Sequence, residues 1–168
     1  MTEEERRWER GTFLERGVVT TPTNRQLLGK QGEDIVVRTF PCPKCKRLKT
    51  LRKLPQNFKC ADVICDFCGY LAQVKTLRSK DASQLPTCIL GAAWPPQKER
   101  MEAGIYFPLF VVVVAGSAVA VYYLAADLQP RAMYVARKPL SATAKRSGWQ
   151  GFLYDLTALQ HGELVRLA

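Results

Sequence analysis

Two pairs of cysteines in CxxC spacing constrain the fold of this chain more than any other feature. The first pair is Cys42 and Cys45 and the second is Cys65 and Cys68, with 19 residues between the pairs. Each pair can present two thiolates from one tight turn, and a structural Zn²⁺ takes four such ligands at about 2.3 Å. A redox dithiol would need only one pair, and a disulfide framework is typical of small secreted chains. The spacing therefore predicts a structural zinc site within a knuckle at residues 42–68.

The other cysteines and the N-terminus bear on the compartment. Cys60 and Cys88 stand outside the paired pattern, and we expect both to be small buried side chains. The first ten residues are rich in Glu and Arg and do not resemble a secretory signal peptide. We therefore expect a cytoplasmic protein.

The positive charge is concentrated in two stretches. The net charge is +10 over 168 residues, which is a length typical of one domain. Residues 44–80 hold ten Lys and Arg against Asp62 and Asp66 as the only acids, and residues 131–146 hold five basic residues and no acid. Such clusters are typical of proteins that displace counterions from a phosphate backbone, although a solvated basic face would look the same. The pattern favours contact with nucleic acid.

An uncharged run of 22 residues, 105–126, is long enough to span a membrane as a helix. Its composition favours a different structure, because it is rich in Val and Tyr and has the turn sequence Ala115-Gly116-Ser117 at its centre. Two short strands that are buried on both faces would read as such a continuous apolar run. We predict a buried β-hairpin here and no membrane association.

The rest of the chain predicts a mixed architecture. Residues 1–22 are expected to form an N-terminal arm or helix, and residues 23–168 the main domain. Thr23 is placed to cap a helix that ends near Arg38. We predict paired strands over 57–64 and 70–77, a long connection over 79–104 with one short helix near 97–102, a basic loop over 137–151 and a last strand near 152–156. Strands flanked by helices define an α/β or α+β sheet.

A candidate catalytic group lies beside the second cysteine pair. On the strand 70–77 alternate side chains share a face, so Gln73 and Lys75 point the same way. Antiparallel pairing of the preceding strand could bring Asp62 opposite Gln73. Mg²⁺ prefers oxygen ligands, and Asp62, the Gln73 amide oxygen and the Val74 carbonyl could supply them. Lys75 would then hold or deprotonate a water for attack on a phosphodiester. An ordinary half-exposed strand remains the alternative.

Five segments taken in order resemble the catalytic domain of the DpnI family. The match extends over about residues 23–160, and its order and spacing make it specific. The segments are Cys42–Cys45, Ala61–Cys68, Gln73–Lys75, Arg137–Leu140 and Thr143–Gly151. The resemblance implies a restriction-endonuclease fold of the PD-(D/E)XK type, with a mixed sheet flanked by helices and an inserted Cys₄ zinc knuckle. It also implies a Mg²⁺-dependent endonuclease that acts on adenine-methylated double-stranded DNA.

The resemblance assigns roles to individual residues. Asp62 and Lys75 take the catalytic aspartate and lysine, Gln73 stands at the position of the family's second catalytic acid, and the four paired cysteines take the zinc site. The segment expected to face DNA carries Arg137, Lys138, Lys145, Arg146 and Trp149.

The sequence departs from the family at two points. The family has Glu where this chain has Gln73, so one carboxylate is missing, and Gln73→Glu is expected to retain or raise activity at low Mg²⁺. No segment matches the family's C-terminal winged-helix domain. Glu33 and Asp34 on the first helix could add a carboxylate, although the favoured explanation is that both acids face solvent. The alternative function is a non-enzymatic zinc-containing DNA-binding protein with a decayed nuclease site.

Overall fold

The computed structural model describes residues 23–55, 58, 60–93, 95–138, 140–144 and 150–168. Within these residues the chain has the predicted mixed α+β architecture, with two α-helices and nine strands in two sheets. The predicted arm at residues 1–22 lies outside the described residues. The helices are α1 (Asn24–Thr39) and α2 (Pro95–Glu102). The strands are β1 (Leu51–Lys53), β2 (Val63–Cys65), β3 (Leu71–Arg78), β4 (Cys88–Ala93), β5 (Leu109–Ala115), β6 (Ala118–Leu124), β7 (Tyr134–Ala136), β8 (Gln150–Asp155) and β9 (Val165–Arg166).

Helix α1 begins where the sequence predicts. The Thr23 hydroxyl accepts a hydrogen bond from the Gln26 N–H, and the Gln26 side chain accepts one from the Thr23 N–H, which together form a capping box. On the inner face, Gly32 lies so close to β3 that an added Cβ would be 1.9 Å from the Thr76 hydroxyl oxygen. This glycine allows α1 to pack tightly against the strand that carries the candidate catalytic residues.

The larger sheet has the strand order β1-β2-β3-β5-β6-β9, and β3 and β5 are its parallel pair. The apolar run forms the predicted hairpin of β5 and β6, in register from Leu109 opposite Leu124 to Ala115 opposite Ala118. No helix in the described part of the chain is both long and apolar enough to cross a membrane.

Strand β5 is buried on both faces. Its alternate residues enter two separate apolar clusters. Phe110, Val112 and Val114 join the cluster beneath α1, which also contains Val36 and Val74. The other alternate residues join a cluster with the second sheet, and these are Leu109, Val111 and Val113. The sequence therefore reads as a continuous apolar run because each face has its own core.

The second sheet, β4-β8-β7, is only partly foreseen by the sequence. The last predicted strand corresponds to β8, but the connection over 79–104 contains β4, which pairs with β8 from Cys88 opposite Asp155 onward. Gly91 in β4 leaves room for the Phe152 ring, since an added Cβ would lie 2.5 Å from it. Cys60 is buried as predicted, whereas Cys88 is exposed at the start of β4, so its predicted burial is wrong.

Candidate active site and zinc centre

The four paired cysteines meet in one cluster. Their Sγ atoms all lie within 4.8 Å of one another. The Sγ atoms of Cys42 and Cys68 are 3.6 Å apart, and those of Cys45 and Cys65 are 3.7 Å apart. A tetrahedron with Zn–S bonds of about 2.3 Å has sulfur–sulfur edges of about 3.8 Å. The cluster therefore fits the zinc ion that the spacing predicts.

Strand pairing brings the two cysteine pairs together. Leu51 in β1 lies opposite Cys65 in β2, so the chain after the first pair runs back along the second. Beyond the second pair, the Cys65 N–H donates to the Tyr70 carbonyl at 2.7 Å. Gly69 has a φ of 71°, in the left-handed region that favours glycine, and allows the tight turn into β3.

The thiols of the cluster differ in acidity. Burial raises the pKa of the Cys42 thiol to about 12. Burial also opposes ionisation of Cys65, but hydrogen bonding of its Sγ with Thr50 and with the backbone N–H groups of Cys68 and Phe67 outweighs it and lowers its pKa to about 6. The Cys65 Sγ and the Thr50 hydroxyl oxygen are 3.3 Å apart. Zinc needs thiolates, so binding of zinc would release protons from the thiols of the cluster.

Asp62 lies directly before β2, beside Ala72 and Val74 of β3. Val63 pairs with Ala72, and the Asp62 N–H donates to the Ala72 carbonyl at 2.9 Å. The Asp62 Oδ2 accepts a hydrogen bond from the Val74 N–H at 2.7 Å. This bond fixes the carboxylate beside β3 at the point where pairing with β2 ends. A carboxylate accepts about four contacts, so Asp62 keeps capacity for a cation.

The Val74 main chain faces Asp62. The Gln73 N–H donates to the Pro108 carbonyl at 2.8 Å, so the Gln73 backbone points towards β5. Successive residues of a strand point their backbone groups to opposite sides, so the Val74 N–H and carbonyl both point away from β5, past the end of β2. The Val74 carbonyl is therefore on the same side of β3 as the Asp62 carboxylate.

The Gln73 side chain is buried and hydrogen-bonded at both ends of its amide. Its Nε2 donates to the Cys60 carbonyl at 3.1 Å, and its Oε1 accepts from the Tyr154 hydroxyl at 2.9 Å. A carbonyl can only accept, so the amide nitrogen must face Cys60 and the oxygen must face Tyr154. Cys60 has a φ of 71°, in the left-handed region. Oε1 has a second lone pair, which is available to bind a metal ion.

Glu33 lies within electrostatic range of Asp62, whereas the sequence favoured a solvent-facing position for it. The residue is half-buried on α1, and burial, followed by the nearby negative charge of Asp62, raises its pKa. The positive charges of Lys53 and Lys75 act in the opposite direction. Two acids held near each other with partial burial favour a bound cation, which would neutralise both. Its position directly after the buried Gly32 is the sequence feature that could have indicated this location.

Asp34, next to Glu33 in the sequence, and Lys75 of β3 have different surroundings. Asp34 carries an ion pair with Lys53, whose Nζ is 2.5 Å from the Asp34 Oδ1. The hydrogen bond from Lys53 lowers the pKa of Asp34, so this acid stays charged. Lys75 is half-buried in β3, within electrostatic range of Glu33. Glu33 is thus within electrostatic range of both Asp62 and Lys75.

Two of the residues expected to face DNA lie just after β7. Arg137 and Lys138 are exposed, and the Arg137 N–H donates to the Gly151 carbonyl at 2.9 Å, which continues the pairing of β7 with β8. Tyr134 in β7 lies opposite Tyr154 in β8, and the Tyr154 hydroxyl donates to the Gln73 amide oxygen. Arg137 is three residues beyond Tyr134, which is roughly 10 Å along the chain. Lys145, Arg146 and Trp149 lie outside the described residues.

Comparison with known proteins gives one family. The sequence profile of the DpnI family, described as the Dam-replacing family, matches residues 14–167 of this chain. No curated protein sequence matches the chain significantly. The family match covers both the cysteine cluster and the group around Asp62.

Proposed function

Because the chain belongs to the DpnI, Dam-replacing family, we propose that it is a Mg²⁺-dependent endonuclease that hydrolyses phosphodiester bonds of double-stranded DNA. The observation that supports this proposal most is the hydrogen bond between Asp62 and Val74. The bond from the Val74 N–H to Asp62 sets a carboxylate and a backbone carbonyl side by side at an open strand end. Oxygen ligands of this kind suit a hard divalent cation.

Four oxygen donors around the strand end make up the proposed magnesium site. Asp62 and Glu33 contribute carboxylates, Val74 its carbonyl and Gln73 its amide oxygen. Burial and the negative charge of Asp62 raise the pKa of Glu33, and a cation beside both carboxylates would offset these two effects. When bound, the ion supplies Lewis-acid polarisation of a phosphate oxygen.

Lys75 is proposed to handle the attacking water. It follows Gln73 by two residues on β3, and its side chain is half-buried rather than spread on the surface. Lys75 holds the attacking water or takes its proton, and the P–O bond opposite the attacking oxygen breaks to give a phosphate monoester and a hydroxyl group. The zinc cluster is structural and keeps β1 and β2 in register beside this site.

DNA contact is proposed to come from the basic segments of the chain, among them the one that carries Arg137, Lys138, Lys145, Arg146 and Trp149. Adenine methylation of the DNA is part of the proposal as a preference. The rival function is a DNA-binding protein without cleavage, and the observation that favours it is Gln73 in place of a carboxylate, with its amide engaged by Tyr154 and Cys60.

The test is digestion of plasmid DNA prepared with and without adenine methylation, followed by mapping of the ends. We expect cleavage with added Mg²⁺, faster on methylated DNA, and none when Mg²⁺ is omitted. If neither DNA is cut with Mg²⁺ or Mn²⁺ while duplex DNA is bound, the endonuclease proposal fails and the binding protein takes its place. Equal rates on both DNAs would remove the methylation preference alone.

A further inference from the structure

The tip of the zinc knuckle is a compact exposed turn. Two of its residues, Lys46 and Lys49, have left-handed backbone conformations with φ of 63° and 59°. The Cys42 N–H donates to the Arg47 carbonyl at 2.9 Å and the Lys46 N–H donates to the Cys42 carbonyl at 2.8 Å, which close the turn. Non-glycine residues keep such conformations only where the surroundings enforce them. The exposed side chains of the turn are those of Lys44, Lys46, Arg47, Leu48 and Lys49.

One arginine of this turn is oriented by an aromatic ring. The guanidinium carbon of Arg47 lies 3.6 Å from the centroid of the Phe67 ring, and Phe67 is 56% exposed. Stacking on a ring uses the face of the guanidinium and leaves its N–H edge for a second ligand such as a phosphate. The adjacent acid, Asp66, is paired with Arg52 at 2.9 Å, so it is engaged on β1. The turn keeps its positive charge.

An apolar side chain stands at the centre of these cations. Leu48 is 67% exposed, between Arg47 and Lys49. One exposed leucine is ordinary on a protein surface, but its placement in a rigid turn with cations on both sides is not. Proteins that bind the DNA minor groove combine Arg and Lys with an apolar wedge that enters between base steps.

The turn is close to the proposed catalytic group. The Asp66 N–H donates to the Thr50 carbonyl at 2.9 Å, so the end of the turn lies beside Cys65. Cys65 and Asp62 are three positions apart in the chain, which is about 10 Å of extended strand. This is about three base pairs of duplex, at 3.4 Å per pair. A duplex with its cleaved phosphate at Asp62 would therefore pass within reach of the knuckle.

We propose that the knuckle tip is a second DNA contact, in which Leu48 enters the minor groove and the flanking Arg47, Lys46 and Lys49 bind phosphates. The proposal rests on the proposed function for the identity of the ligand, since it takes the ligand to be double-stranded DNA. It gives the zinc cluster a role beyond folding, because the metal would hold the turn that presents Leu48.

The test measures binding and bending of a duplex of about 20 base pairs, labelled at both ends, without added divalent metal. We expect Leu48→Ser to weaken binding by about tenfold and to reduce bending, with no change in the slope of log affinity against log salt. Lys49→Ala should reduce that slope by about 0.9, the value for one phosphate contact. Leu27→Ser is the control, because Leu27 is an exposed leucine on α1 at 49% exposure. Zinc content must be equal in all variants.

The outcomes separate this proposal from the previous one. If Leu48→Ser binds within twofold of the wild type while the wild type cleaves DNA, the knuckle contact is wrong and the nuclease stands. If the wild type binds in a Leu48-dependent manner but never cleaves, the nuclease is wrong and the knuckle contact stands. If the wild type does not bind duplex DNA, both are wrong.

Discussion

Removal of the Tyr154 hydroxyl tests whether the buried amide of Gln73 matters for metal binding. Tyr154 is 1% exposed and its hydroxyl donates to the Gln73 Oε1 at 2.9 Å. Tyr154→Phe keeps the ring and creates no large cavity, but it removes one partner of a buried hydrogen bond, which costs about 1–3 kcal/mol of the free energy of unfolding. For a chain of this size that lowers the melting temperature by roughly 2–12 °C.

The same change should weaken the metal site. Loss of a residue that orients a metal ligand costs about 10–100-fold in metal affinity. We therefore expect the Mg²⁺ concentration for half-maximal cleavage to rise at least about tenfold, with recovery of the rate at saturating Mg²⁺. Tyr122→Phe is the matched control, because the Tyr122 hydroxyl donates to the Ser83 carbonyl at 3.2 Å, outside the site. It should lower the melting temperature only and leave the Mg²⁺ requirement unchanged.

A Tyr154→Phe enzyme with the wild-type Mg²⁺ requirement would show that the Tyr154 hydroxyl does not support metal binding. A second arm uses Gln73→Glu, which replaces a donor by an oxygen 3.1 Å from the Cys60 carbonyl. Two acceptors would then face each other, so the metal-free protein should be less stable than the wild type at neutral pH, and Mg²⁺ should narrow the difference. The second carboxylate would therefore favour Mg²⁺ binding but lower the stability of the metal-free protein. Equal stability without metal would contradict it.

Two further predictions concern the acid on α1 and the zinc cluster. Because burial raises the pKa of Glu33, ionisation of this residue opposes folding. The resulting loss of stability is absent below the ordinary pKa of a glutamate and grows as the pH rises through the raised value. Glu33→Gln should therefore raise the melting temperature of the metal-free protein near neutral pH but not in acid, and should slow Mg²⁺-dependent cleavage; a lower melting temperature at both pH values would contradict this. For the cysteine cluster we expect one tightly bound zinc per chain and a cooperative loss of structure when the zinc is chelated. Elemental analysis measures the zinc content, and circular dichroism measures the loss of structure. Native protein without zinc would overturn that expectation, and Cys65→Ser should lose the metal.

Local patterns in the sequence predicted much of the fold. The two cysteine pairs predicted a cluster because each pair is one turn, and Thr23 predicted the start of α1 because a capping box is formed by neighbouring residues. The hairpin over residues 105–126 was predicted from its β-branched composition and its central turn. Each of these features depends on residues close in the chain.

Features that depend on distant packing were missed or only partly foreseen. Glu33 was assigned to solvent, because its burial depends on how closely Gly32 approaches Thr76 on β3. The bond between Gln73 and Tyr154 joins residues 81 positions apart, and no local pattern indicates it. Strand β4 was missed because its sequence, with Gly91 and small residues, lacks the alternation of a half-buried strand, and its pairing with β8 supplies the order.

A metal-dependent nuclease site built around Asp62 should fail when this side chain loses its negative charge, and Asp62→Asn makes that change. The asparagine oxygen can still accept the hydrogen bond from the Val74 N–H, so the variant removes the charge and keeps the local structure. We expect cleavage with Mg²⁺ to fall by about 100-fold or more, while binding of duplex DNA stays within about threefold of the wild type, because the basic clusters supply it. A variant that binds DNA and cleaves it at the wild-type rate would show that the active site lies elsewhere.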